Sequence, residues 1–378
     1  MYRDKPELRI PGPVPVPSRV LQAAAAPMIN HRGADFRQRM PALLARLQRV
    51  FRTENCLVPI TGSGTAAMEA AVSNLINPGD PVMVFVGGSF GERWAQICRA
   101  FGAQVHELTY SWGEGLDPER AQEALQRHPE VMVVFATQNE SSTGVLNDIQ
   151  GLSKAAAKAD ALFVVDAVSS LGGVPLETDD WDIDVVVTAS QKCLMAPPGL
   201  AFVSLSSRAR ERMAHVDTPR YYLDLLRYCR MLEIGETPFT PNISALFALE
   251  ESLAMLEAEG LSAVFSRHRL LRDMVRAGVK ALGLALLVPE RWASPTVTAI
   301  KPDFADVDAF RRRLLGDYGV EVAGGQGELA GQILRIGHMG YVSPLDMLGT
   351  LGALEACLGE FGVATAAAED VWERWRHG

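Results

Sequence analysis

The chain has 378 residues, 48% hydrophobic and 21% charged, enough to bury a large core and to divide into one large and one smaller domain. A formal net charge of -9 with no Lys/Arg cluster argues against a nucleic-acid partner, and no stretch of about 18 uncharged apolar residues suggests a membrane span. Met1 to Pro13 lacks the apolar core of a signal peptide, so a cytoplasmic protein is expected; Cys56, Cys98, Cys193, Cys229 and Cys357 lack CxxC spacing, so neither a disulfide framework nor a metal site is expected.

In chain order, every second residue from Pro11 to Pro17 is a proline without an amide donor, so the stretch reads as part of an extended N-terminal arm over residues 1–30. A large domain over 31–260 follows. There, short apolar runs alternate with helical patterns, the rhythm of parallel βα units. The runs are Cys56 to Ile60, Val82 to Val86, Gln104 to Leu108, Val131 to Ala136, Ala161 to Asp166, Val185 to Thr188 and Leu200 to Ser204. They predict a mainly parallel seven-stranded sheet covered by helices, one of them over Thr65 to Asn77, ended by Pro78-Gly79. A long helical stretch is expected around Ile243 to Arg276. A smaller α+β domain over 261–378 has strand candidates at Ala285 to Val288, Thr296 to Ile300, Val320 to Val322 and Ile333 to Ile336.

Four features carry possible chemistry. Thr61-Gly62-Ser63-Gly64-Thr65 joins a strand to a helix start, where free amides and glycines suit an anion; it lacks the Walker lysine and GxGxxG spacing, and such turns also serve as plain connectors. Asp166 ends a fully apolar strand at the sheet's carboxyl edge, either as a cap for the next segment or as the partner of a protonated ring nitrogen. Lys192 follows the next strand and reaches the same edge, where open α/β sheets bind ligands, although a lysine so placed is commonly a solvated loop residue. Arg335 lies inside an apolar strand, and its fork suits either a substrate carboxylate or an inter-domain salt bridge. His338, with no nucleophile or metal set near it in sequence, reads as structural.

The order of Gly-rich turn, Asp, Lys and Arg resembles the class V aminotransferases of the pyridoxal-phosphate superfamily. Arg9-Ile10-Pro11-Gly12-Pro13, Met28-Ile29-Asn30-His31-Arg32, Asn139-Glu140-Ser141-Ser142-Thr143-Gly144, Val165 to Ser170 and Ser190-Gln191-Lys192 look like the alanine–glyoxylate and serine–pyruvate branch, and the resemblance covers nearly the whole chain. It implies the aspartate-aminotransferase-like fold, pyridoxal 5'-phosphate as cofactor, and a homodimer with active sites at the subunit interface. Carried over by position, it makes Lys192 the Schiff-base lysine and proton carrier, Asp166 the partner of the pyridine nitrogen, and Arg335 the substrate-carboxylate ligand. Phe90 falls where the family stacks an aromatic on the ring, usually tryptophan in the animal enzymes. Ser63, Gly64, Thr65 and Gln191 resemble phosphate ligands, with Ser190 a further candidate donor. Ser141 falls beside the ring hydroxyl, Val168 on the second ring face, and Thr240 where a residue reaches the phosphate of the neighbouring subunit. The activity implied is ping-pong transfer of an amino group from alanine or serine to glyoxylate or pyruvate.

Three alternatives fit the residues less well. A cysteine desulfurase needs a mobile nucleophilic cysteine and typically a histidine before the lysine, where Gln191 stands. Pyridoxamine–pyruvate aminotransferases share an ending like Arg335-Ile336-Gly337-His338-Met339-Gly340, but read free pyridoxamine with an acidic residue where Ser63 stands. A non-catalytic subunit of a structural or redox complex would have no use for the intact Lys192, Asp166 and Arg335.

Overall fold

In a computed structural model that describes residues 6–377, all seven runs form strands of one sheet. They are β1 (Cys56–Gly62), β2 (Pro81–Val86), β3 (Gln104–Thr109), β4 (Val133–Thr137), β5 (Leu162–Asp166), β6 (Val185–Ala189) and β7 (Gly199–Leu205). Their order across the sheet is β1-β7-β6-β5-β4-β2-β3, and only β7 runs against its neighbours. The interior strands read as unbroken apolar runs because both faces are covered. Phe163 and Val165 join the core on one face, while Leu162 and Val164 join that on the other.

The expected helix after β1 spans Gly64–Leu75. The long helical stretch is two helices, Ile243–Glu259 and Leu261–Ala281, broken at Gly260, whose φ of 81° is left-handed. Apolar periodicity continues on both sides, so sequence pattern alone ran through the break. Residues 11–17 are irregular as expected, but Ser18–Ala24 forms a helix packed on Ile243–Glu259. The first five residues of the expected arm lie outside the described residues.

In the smaller α+β domain, β8 (Val297–Ile300), β9 (Ala323–Gly324) and β10 (Leu334–Gly337) form an antiparallel sheet in the order β8-β10-β9. The candidate at Ala285 to Val288 makes only an isolated bridge, Leu286 to Ile300, and is not a strand. Val320–Glu321 pairs in parallel with Glu7–Leu8, so the N-terminal segment is stitched to this domain, with Arg9 also bound to Asp346 at 2.6 Å. Among the described residues no helix is long and apolar enough to cross a membrane.

Candidate active site

The six co-directed strands deliver the polar groups to one edge. Asp166 ends β5, and Lys192 lies three residues beyond the end of β6, the neighbouring strand. The Asp166 carboxylate is buried and accepts the Val168 amide at 2.7 Å. Loss of water, reinforced by the negative charge of Glu140, raises its pKa to about 7. Burial lowers the Lys192 amine to about 8, against the opposing pull of Asp166 and with Arg335 and Arg93 pushing the same way as burial. Lys192 Nζ donates to the Pro11 carbonyl. A Cβ on Gly12, whose φ is +104°, would lie 2.5–2.7 Å from Lys192 side-chain atoms, so glycine is what lets the N-terminal segment cross this amine.

The Gly64–Leu75 helix begins at Ser63, whose side chain makes no capping bond. Its first amides are therefore left for an anion. Ser63 and Thr65 are exposed, whereas Gly64 is buried, and a Cβ there would fall 2.9 Å from Val168 Cγ2. Arg93 links this turn to Phe90: Nη1 donates to Thr65 Oγ1 at 3.3 Å, and the guanidinium lies 4.6 Å from the Phe90 ring centroid. Gln191 has a buried side-chain oxygen without a partner among the described residues, while Ser190 Oγ donates to the Pro197 carbonyl at 2.6 Å and so is turned away from the turn it was expected to serve.

Arg335 is buried on β10 between Ala299 and Ala323. Nε donates to Gly324 O at 2.8 Å and Nη1 to Ser141 O at 2.6 Å; Nη2 has no protein partner among the described residues. Burial lowers its pKa to about 10, still cationic at neutral pH. Ser141 is thus tied to Arg335 through its carbonyl. Thr240 is exposed, its hydroxyl 3.4 Å from His31 Nε2; within one chain it faces His31 and not the Ser63 turn. Arg32 is held by Glu236 at 2.5 Å, and His338 is bonded to Thr298 and Pro295, each at 2.9 Å.

One member of this network, Glu140, stands out in the sequence only as part of the Asn139 to Gly144 motif. Glu140 is buried, accepts the Phe90 and Gly91 amides at 3.0 and 3.2 Å, and accepts Ser142 N–H and O–H at 3.2 and 2.5 Å. It caps the helix Ser89–Ala100 from 49 residues away and fixes the start that carries Phe90. No local signal could have shown this. Glu140→Gln would set an amide NH₂ against backbone donors, and we expect a loss of about 1–3 kcal/mol in stability with weakened cofactor retention, read by thermal unfolding of loaded and cofactor-free protein. Unchanged values in both would remove Glu140 from the site's support.

A family model described as Aminotransferase class-V matches residues 18–339. The chain belongs to the class V aminotransferases. It is 41% identical to the protein named "Soluble hydrogenase, small subunit" of Synechococcus sp. (strain PCC 6716), over 95% of this chain and 94% of that one. It is 35% identical to the L-aspartate–glyoxylate aminotransferase of Paracoccus denitrificans (strain Pd 1222), over 94% and 91%. Among solved structures it is similar to pyridoxamine–pyruvate aminotransferase from Mesorhizobium loti, with a TM-score of 0.94, 30% identity and 99% of each chain covered. This class V chain is a transaminase, and family and fold imply pyridoxal phosphate. The residues present fit that group: an uncapped helix start for a phosphate, a buried amine near neutrality for an aldehyde, and a buried carboxyl with one backbone donor for a ring nitrogen.

Proposed function

We propose that this class V transaminase moves an amino group from alanine or serine to glyoxylate or pyruvate by a ping-pong route, with Lys192 as attachment point and proton carrier. The observation that carries this reading is the buried Lys192–Asp166 pair facing an arginine with one free nitrogen. Ser63, Gly64, Thr65 and Gln191 would hold the phosphate, Phe90 and Val168 the two ring faces, Asp166 the ring nitrogen, and Ser141 the ring hydroxyl. When bound, pyridoxal phosphate supplies an aldehyde that links to an amine and a ring that accepts the electron pair left at Cα.

The chain's own groups do the rest. Nη2 of Arg335 binds the substrate carboxylate and sets the Cα–H bond toward Lys192. Lys192 Nζ, uncharged in a substantial fraction near pH 8, takes the Cα proton and would return it to the carbon that brought the aldehyde, two bonds from Cα. Asp166 stabilises positive charge on the ring nitrogen. The close crossing of Gly12 over Lys192 favours small side chains on the substrate. Thr240 would complete a neighbouring subunit's phosphate site in a homodimer. The arm (1–30), large domain (31–260) and small domain (261–378) remain the proposed division, supported by the helix break at Gly260 and a separate core of small-domain residues such as Leu271 and Leu351.

The alternatives have less support. Cys193 is buried, donates to Ser169 O at 3.8 Å and has its thiol pushed up to about 12, opposite to the need of a nucleophilic cysteine. Ser63 offers a hydroxyl in place of the carboxylate expected for reading free pyridoxamine. The similarity to the protein named as a hydrogenase subunit motivates the one reading of a different class, a silent subunit of a redox complex. Half-reactions of the holoenzyme against alanine, serine, aspartate and pyridoxamine, followed by absorbance, separate these. Alanine or serine should shift the cofactor band; a response to aspartate alone changes the donor, and no response to any amino acid sinks the enzyme reading.

Arg335→Lys keeps a charge but loses the planar fork that spans Gly324, Ser141 and substrate. The KM for the amino donor should rise about 100-fold, the effect of losing roughly 3 kcal/mol of charge-assisted bonding. A KM within threefold of wild type, by steady-state kinetics, would place the carboxylate elsewhere.

A further inference from the structure

On the edge strand β3, away from the site described above, His106 faces a turn that carries His128 and Glu130. One ligating atom from each lies within 4.8 Å of the others. Glu130 Oε1 is 3.1 Å from His128 Nδ1 and 3.4 Å from His106 Nε2, and the imidazole centroids are 4.1 Å apart. A tetrahedral zinc with bonds of about 2.0–2.1 Å separates its ligand atoms by roughly 3.3 Å, the spacing these pairs already show.

The second observation is His106 Nε2 itself. It is buried and lacks a hydrogen-bond partner, although it points at a carboxylate oxygen. A cation among the three atoms would give that nitrogen a partner and neutralise Glu130. The turn is preorganised: Val131 N donates to His128 O at 3.1 Å, and Met132 N donates to Pro81 O at 3.1 Å, so both turn ligands are anchored to the sheet.

We propose that His106, His128 and Glu130 form a site for one divalent transition metal of the zinc class, with water completing the coordination. Two imidazoles and a carboxylate suit zinc over the hard, all-oxygen preference of calcium or magnesium. The site is separate from catalysis. β3 lies four strands from β6, roughly 19 Å at the usual strand spacing, and Glu130 precedes β4 whereas Lys192 lies beyond the carboxyl ends. The metal would fasten the edge strand to the connection entering β4. Cysteine spacing, from which no metal was expected, carries no trace of this site, because its ligands come from a strand and a turn that only folding brings together.

The test uses the holoenzyme, stripped with a chelator and titrated calorimetrically with Zn²⁺ alone. One saturable equivalent per chain is expected, with a rise in the unfolding midpoint on Zn²⁺ addition. His128→Ala and Glu130→Gln alter half-exposed side chains and should fold; each should weaken binding at least about 100-fold and abolish the midpoint shift. Co²⁺ should give the intense visible bands of a tetrahedral centre in wild type and lose them in both variants. No saturable Zn²⁺ binding, or binding of wild-type affinity in both variants, overturns the site. Either result is read without transamination, so its failure is distinct from that of the proposed function.

Discussion

Lys192→Ala is expected to lower transamination by about 10⁴-fold or more, because one substitution removes both the attachment point and the proton carrier. The cradle at Ser63–Thr65 and the carboxyl of Asp166 remain, so the variant should still take up cofactor, but gel filtration should strip it, whereas wild type retains its cofactor. Borohydride reduction should fix cofactor to Lys192 in wild type and to no residue in the variant. Capture of cofactor by the stripped wild-type protein needs the neutral amine. Its rate should therefore rise through about pH 8 and level off above it, well below the range of an ordinary lysine. Turnover by Lys192→Ala within tenfold of wild type would remove this residue from the centre of the reaction.

Asp166→Asn should act in opposite directions on activity and stability. Activity falls about 10³-fold, since an amide cannot hold a positive charge on the ring nitrogen, yet the cofactor-free protein gains roughly 2 kcal/mol above pH 7. The folded carboxyl titrates at about 7, against 3.8 ordinarily. Between these values the folded chain binds more protons than the unfolded one, so the stability associated with protonated Asp166 is complete below about 4 and is lost as the pH rises to 7. Asparagine removes that titration. Chemical denaturation of cofactor-free wild type and variant at pH 4 and pH 8 should show the two nearly equal at the lower pH and the variant ahead at the higher. A wild-type advantage at pH 8 would mean that Asp166 is stabilised by a partner not seen here. Such a trade is expected where a charged group is buried for chemistry and not for folding.

The large sheet was legible because buried parallel strands demand continuous apolar, β-branched runs, and Val185 to Thr188 or Ala161 to Asp166 suit little else. Ala285 to Val288 misled for the same reason. Its Leu286 side chain is wanted by the small-domain core, but its backbone finds only the single bridge to Ile300. Gly260 was invisible as a break because helical periodicity resumes at once in Leu261–Ala281. Lys192 and Asp166 could be singled out because consecutive strands end beside each other in a βα rhythm, making sequence order a guide to proximity.

By itself, then, the sequence determined which segments form the large sheet, which edge of that sheet carries the ionisable groups, and which family the chain belongs to, since each depends on local pattern or linear motif. The tertiary structure decided what those groups experience. Burial, which depends on neighbours far away in the chain, brings the pKa values of Lys192 and Asp166 to within about a unit of each other, against the pull of their mutual charge. Glu140 reaches Phe90 from 50 residues away, Arg335 reaches Ser141 from 194, and His106 meets Glu130 only across a folded edge. Contacts of that length follow from how helices and strands pack, and no local periodicity encodes them.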